Sequence, residues 1–95
     1  MSEILTAFKL TIGDLTPSTQ NAPYYQNFIN QAKAQLLSED IDEQILTETE
    51  LGRSAIVLQA VALMEKRDVA NDPTLLLLRN QLSAQTKGHR YADDT

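Results

Sequence analysis

The sequence contains no cysteine and only one histidine, His89. Without cysteine the chain forms no disulfide and has no thiol nucleophile or thiolate ligand, and a single histidine excludes a multi-histidine metal site. The longest apolar runs, AIVLQAVALM and LLLL, fall far short of the ~20 residues that span a membrane. No N-terminal stretch joins basic residues to an apolar run, so we expect no signal peptide and no membrane association. We also expect no cofactor.

Enzyme motifs are missing as well. The sequence has no G-x-S-x-G, no glycine-rich phosphate loop and no H-E-x-x-H. Its serines have no base close by in sequence, because the one histidine follows the last helical pattern. Paired carboxylates such as Asp40 and Asp42 do acid–base chemistry only inside a cleft, which is hard to build in a chain of 95 residues. We therefore expect no enzymatic activity.

The charge is unevenly distributed along the chain. Residues 1–50 contain two bases and eight acids, a net charge of −6, and residues 51–95 contain six bases and five acids, a net charge of +1. The total of −5 argues against a nucleic-acid reader, which normally presents a basic patch. The asymmetry fits either a solvated acidic loop or head-to-tail packing of copies.

The first half of the chain predicts two helices. The spacing predicts one helix over about residues 2–11, with Ser2 as its N-cap and Gly13 as its stop. The stretch GDLTPSTQNA is typical of a loop. A second helix follows over about residues 23–37. The apolar positions expected to pack are Ile4, Leu5, Phe8, Tyr25, Phe28, Ile29, Ala32, Leu36 and Leu37.

An acidic segment, SEDIDEQILTETE at residues 38–50, joins these helices to the next. It contains six acids and no base, and we expect Ile41, Ile45 and Leu46 to anchor it to the core. Its carboxylates resemble the alternate ligands of a calcium loop. However, Ile45 occupies the glycine position and Leu51 the glutamate position of that loop, so we expect no calcium site.

The second half predicts two more helices. Thr47 and Glu50 match a capping box, and the following apolar residues, wide enough to be buried on more than one side, predict a central helix to about residue 64. Asp72 and Pro73 predict the start of the last helix. Its core-facing leucines are expected to be Leu75, Leu76, Leu78 and Leu82, with Leu77 left over as an inter-subunit contact and Gly88 as the stop.

These patterns predict an all-α fold. We expect a small bundle of three or four helices with an acidic connecting loop, forming one helical domain over residues 1–86. Residues 87–95 are expected to form an extended C-terminal docking tail.

A small helical regulator that binds DNA or protein is the alternative function. The last two helices are separated by DVAND, which is about the length of a helix-turn-helix connection. The second of them offers only Arg79, Asn80 and Gln81 for reading bases, and its leucine-rich face belongs in a core.

The order of these elements resembles the head–tail connector proteins of tailed bacteriophages, also described as head completion or adaptor proteins. The resemblance covers a first helix ending in LTIG and a second reading YYQNFINQAKAQLLSEDI. It continues through a third helix reading ELGRSAIVLQAVALM, a leucine-rich fourth, and the aromatic-basic peptide GHRY.

The resemblance implies a structural role in the virion, at the interface of head and tail, for a protein made in the bacterial cytoplasm. Such proteins form a homo-oligomeric ring beneath the portal protein and extend the channel through which double-stranded DNA passes without sequence recognition. Stopper or tail-completion proteins bind below. Their C-terminal segments reach toward the portal, which assigns that contact to Lys87, Gly88, His89, Arg90 and Tyr91.

The acidic segment suits such a channel. A lumen lined with carboxylates does not bind phosphates, so DNA slides past it. We expect part of the segment to face the lumen or the next subunit through Glu39, Asp40, Asp42, Glu43 and Glu48.

Overall fold

The computed structural model describes residues 3–15 and 21–93, with side chains as far as Gly88. Over these residues the chain is all-helical, as predicted, but it forms five helices rather than three or four, because the acidic segment contains a short helix of its own. The helices are α1 (Glu3–Thr11), α2 (Ala22–Ser38), α3 (Glu43–Glu48), α4 (Glu50–Met64) and α5 (Pro73–Asp93).

Helix α4 is the centre of the fold. It packs against each of the other four helices, and eight of its 15 residues are buried. This confirms that the helix is covered on more than one side, as its width of apolar residues predicted. The fully buried large side chains of the core come from every helix: Phe8, Leu36, Leu46, Ile56 and Leu82. The predicted anchors of the acidic segment, Ile41, Ile45 and Leu46, are buried as well.

Three helices end in the same way. The second residues after α1, α2 and α4 are Gly13, Asp40 and Lys66, with φ angles of 80°, 66° and 59°. After α4 the Lys66 N–H donates to the Leu63 carbonyl at 3.1 Å, which satisfies one of the carbonyls left over at a helix end. Gly13 confirms the predicted stop of α1. Asp40 and Lys66 adopt a left-handed conformation that costs an L-residue about 1–2 kcal/mol, and the sequence patterns did not predict these turns.

A tight corner joins α3 to α4. Thr49 caps α4: its Oγ1 accepts a hydrogen bond from the Gly52 N–H at 3.0 Å and donates one to the Ile45 carbonyl at 2.7 Å. The predicted capping box on Thr47 is wrong, because Thr47 lies inside α3 and donates to the Glu43 carbonyl at 2.9 Å. The additional helix thus moves the start of α4 to the next threonine.

Gly52 allows α3 and α4 to approach this closely. A Cβ atom at this position would lie 2.3 Å from the Leu46 carbonyl oxygen and 2.4 Å from the Ile45 carbonyl oxygen. Contacts this short with backbone atoms cannot be relieved by a side-chain rotation. The corner therefore requires glycine for its missing side chain, in a backbone conformation that is ordinary helix.

Helix α5 begins where predicted and ends later. Asp72 is its cap, accepting hydrogen bonds from the Thr74 N–H at 2.9 Å and the Leu75 N–H at 3.2 Å. The predicted stop at Gly88 and the extended tail after it are wrong, because α5 continues to Asp93. One glycine inside a helix costs only about 1 kcal/mol relative to alanine, which the neighbouring turns of a long helix outweigh.

An aromatic group joins α1 to α2. The Phe8 ring lies 5.1 Å from the Tyr25 ring, and Tyr24 packs edge-on against Phe28 at 5.1 Å. The Tyr25 hydroxyl donates to Asp14 Oδ2 at 2.9 Å, and this hydrogen bond to a carboxylate raises the pKa of Tyr25. The contact ties the segment after α1 to the buried face of α2.

Candidate functional site

The described residues hold no helix whose length and apolar character would let it cross a membrane. Over the same ranges, no three histidine, cysteine, aspartate or glutamate residues come together as metal ligands would. The features open to functional interpretation are therefore surfaces: the outer face and end of α5, the acidic segment, and a groove between α1 and α4.

The outer face of α5 carries two exposed leucines. The helix is attached to the body through Leu75, Leu82 and Thr86, which are buried, whereas Leu76 and Leu77 are 41% and 57% exposed. The prediction that Leu76 packs into the core is wrong. Leu77 is exposed as the pattern indicated, and its contact with another subunit stays a prediction.

The end of α5 contains the five positions assigned to portal binding. Their backbone is helical, and Lys87 and Gly88 are exposed. The side chains of His89, Arg90 and Tyr91 lie outside the described part of the structure. The last buried side chain of the described part of α5 is Thr86, and the helix continues for seven residues beyond it, which is about 10 Å.

The acidic segment makes structural contacts through two of its glutamates. Glu39 Oε1 accepts a hydrogen bond from the Arg79 guanidinium of α5 at 3.0 Å. Glu43 Oε1 lies 3.3 Å from Lys33 Nζ of α2. These pairs join the segment to α2 and α5, which the interpretation as a solvated or channel-lining loop did not include.

Asp42 is the third structural carboxylate of the segment. Its Oδ1 accepts hydrogen bonds from the Gln44 N–H at 2.8 Å and the Ile45 N–H at 3.4 Å, which caps α3. Its own N–H donates to Thr86 Oγ1 at 3.0 Å and so connects the segment to α5. Of the remaining predicted positions, Asp40 occupies the left-handed turn after α2, and Glu48 is exposed near the end of α3.

Arg79 holds three parts of the chain together. Besides its bond to Glu39, its guanidinium donates to the Val69 carbonyl at 3.2 Å and the Ala70 carbonyl at 3.4 Å. Only 17% of its side chain is exposed. Arg79 was the one basic group that the helix-turn-helix interpretation offered for reading bases, and here it is engaged by its own chain.

A groove of about 550 Å³ runs between α1 and α4. Glu3 and Arg53, whose charged groups approach to 3.9 Å, lie at the end where both helices begin. The groove is lined by Glu3, Ile4, Ala7, Thr11, Glu50, Arg53, Ser54, Val57 and Leu58. Sequence patterns did not predict it, because it depends on how closely two amphipathic helices pack.

Thr86 and Arg79 were not predicted as contact residues either. A signal existed for Thr86: Leu82 follows Leu75 by seven residues and Thr86 follows Leu82 by four, which continues the buried stripe of α5. No comparable signal existed for Arg79, since its partners lie 40, ten and nine residues away in sequence.

Comparison with known proteins gives no further guidance, because no family model, curated protein or solved structure matches this chain significantly.

Proposed function

We propose that this chain is a subunit of the head–tail connector of a tailed bacteriophage, one of several copies that form a ring beneath the portal protein and extend the DNA channel. The proposal rests on the order of the helices and on the aromatic-basic peptide that closes the chain. The observation that carries it is the length of α5, which continues for seven residues past Thr86, the last buried side chain of its described part.

The end of α5 is suited to binding a partner. A helix that has already formed loses less conformational freedom on binding than an extended peptide would. Positions 87, 90 and 91 lie three and four residues apart and therefore share one face of the helical backbone. Lysine, arginine and tyrosine at these positions supply two cations and an aromatic group to an acidic partner surface.

The acidic segment contributes to the channel through fewer residues than its composition indicated. Glu39 and Asp42 bond to other parts of the fold and Glu43 pairs with Lys33 at the surface, so reversing these charges would also break contacts within the subunit. Asp40 and Glu48 are exposed, and we assign the lumen or the subunit boundary to them. Glu48→Lys is the cleaner probe, because Asp40 lies in a strained turn.

A truncation at Thr86 tests the portal contact. Every described buried side chain precedes residue 87, so the shortened chain retains its core. We expect it to fold, as judged by circular dichroism, and to lose binding to purified portal protein in a co-sedimentation assay. A chain that lacks only residues 94 and 95 is the matched control and should bind. Portal binding that survives the truncation, or no binding by the full chain, would contradict the proposal.

The regulator hypothesis is tested in the same preparation. It requires a stable oligomer of low order that retards DNA in a gel. The engagement of Arg79 and the net charge of −5 both speak against it. A full chain that retards DNA and ignores the portal would favour it over the connector.

A further inference from the structure

The α1–α4 groove has two chemically distinct parts. Its middle is apolar, with Ile4 and Ala7 on one wall and Val57 on the other. Its end is acidic, since Glu3 and Glu50 lie in the first turns of α1 and α4 and only Arg53 offsets them. The N-termini of α1 and α4, the positive ends of their dipoles, also lie at this end beside the carboxylates.

Helix α5 has the complementary pattern. Its exposed leucines, Leu76 and Leu77, lie in its first two turns, and the helical residues beyond Thr86 include Lys87, Arg90 and Asp93, a net charge of +1. The groove-lining charges, Glu3, Glu50 and Arg53, sum to −1. Along α5, the apolar patch is thus followed by a basic end. Along the groove, the apolar middle is followed by an acidic end.

We infer that α5 of one copy lies in the α1–α4 groove of the next, antiparallel to both helices. Leu76 and Leu77 then cover the apolar middle, and Lys87 lies over Glu3 and Glu50. This direction brings the negative C-terminal end of the α5 dipole toward the N-termini of α1 and α4.

The lengths of the two surfaces agree with this arrangement. Leu77 and Lys87 are ten residues apart, about 15 Å of helix, and Val57 and Glu50 are seven residues apart, about 10 Å. The difference of about 5 Å is within the reach of a lysine side chain, whose four methylene groups precede the charge.

The α5 face and the groove are separate surfaces of one molecule, and the inferred contact between them is heterologous rather than a two-fold exchange. A heterologous contact leaves a free groove at one end of a pair and a free α5 at the other, and repetition closes a ring when the rotation between copies allows it. The inference rests on the proposed function in this respect: it identifies the surfaces that a connector ring would use between its own copies.

Engineered cysteines test the contact directly, because the natural chain has none to compete. Ser54 lines the groove, and Asn80 is exposed one turn after Leu76 on the outer face of α5. A Ser54→Cys, Asn80→Cys double variant, oxidised at high protein concentration, should form a disulfide ladder of dimers, trimers and larger species on a non-reducing gel. The matched control, Ser54→Cys with Asn27→Cys on the exposed side of α2, should form no ladder.

The leucines provide the second test. Adding Leu76→Ser and Leu77→Ser to the cross-linking variant should abolish the ladder, whereas adding Leu15→Ser, at another exposed leucine, should leave it intact. Three outcomes overturn the inference: no ladder above the control, a ladder that ignores the α5 leucines, or a product that stops at the dimer, which indicates a two-fold contact. Portal binding by the full chain is measured separately. Absence of the ladder would contradict this contact but not the proposed function, and absence of portal binding would contradict the proposed function but not this contact.

Discussion

Helices α4 and α5 use their apolar residues differently. In α4 eight of 15 residues are buried, and the other four helices cover it. In the described part of α5 only Leu75, Leu82 and Thr86 are buried, while Leu76 and Leu77 near its start are exposed. The chain concentrates its hydrophobic stabilisation around α4 and attaches α5 through a few anchors, which leaves one face of α5 available to another molecule.

Polar contacts compensate for the thin packing of α5. Arg79 joins its first half to Glu39 and to the loop before it, and Thr86 joins its second half to Asp42. These contacts fix the position of α5 without covering its outer face. Breaking each region in turn tests whether this division of roles is correct.

The largest effect is expected at the corner of α3 and α4. Gly52→Ala should destabilise the protein by about 3 kcal/mol or more, because the added methyl group would overlap the backbone carbonyls of Ile45 and Leu46. Chemical denaturation monitored by circular dichroism measures the change. An unchanged free energy of unfolding would mean that α3 does not lie this close to α4, and the tight corner would be wrong.

An intermediate effect is expected at the polar link to α5. Thr86→Val keeps the size of the side chain but removes the acceptor of the Asp42 N–H, and should cost about 1–2 kcal/mol. Thr86→Ser retains the hydroxyl and serves as the control, with a smaller loss from the missing methyl group. Equal losses in the two variants would show that packing, and not the hydrogen bond, holds this part of α5.

The smallest effect has the opposite sign. Gly88 is helical and exposed, and a Cβ at this position would meet nothing within 4 Å. Gly88→Ala should therefore stabilise the protein by about 0.5–1 kcal/mol and increase its helical circular dichroism signal. No gain in either measurement would mean that the residues beyond 88 form the extended tail that the sequence predicted. The contrast with Gly52→Ala is itself informative, since the same substitution is applied to two helices.

Local sequence patterns predict much of this fold. Gly13 ends α1, and Asp72 with Pro73 begins α5, because capping depends on side chains within a few residues of the helix end. The apolar stripes of α2 and the breadth of α4 likewise follow from helical periodicity. The all-α class was therefore predictable without knowing how the helices pack.

The parts that sequence patterns missed have two causes, which are competition between neighbouring residues and contacts that form only in the tertiary structure. Thr47 matches a capping box in the sequence, but it lies inside α3, and the cap of α4 is therefore Thr49. Gly88 reads as a stop, and the turns before it carry the helix onward. The roles of Arg79 and Asp42 depend on partners that only the tertiary structure brings near. The groove between α1 and α4 likewise depends on how the helices pack.

The link between Asp42 and Thr86 gives this protein an internal reporter. The Asp42 amide proton is held by a hydroxyl from the last buried turn of the described α5, so hydrogen–deuterium exchange at that single amide follows detachment of the helix end from the body. A partner that binds the end of α5 in its attached position slows the exchange of the Asp42 amide. A partner that detaches the end of α5 from the body accelerates that exchange. One resolved amide signal thus distinguishes a partner that binds α5 in its attached position from a partner that detaches the helix end.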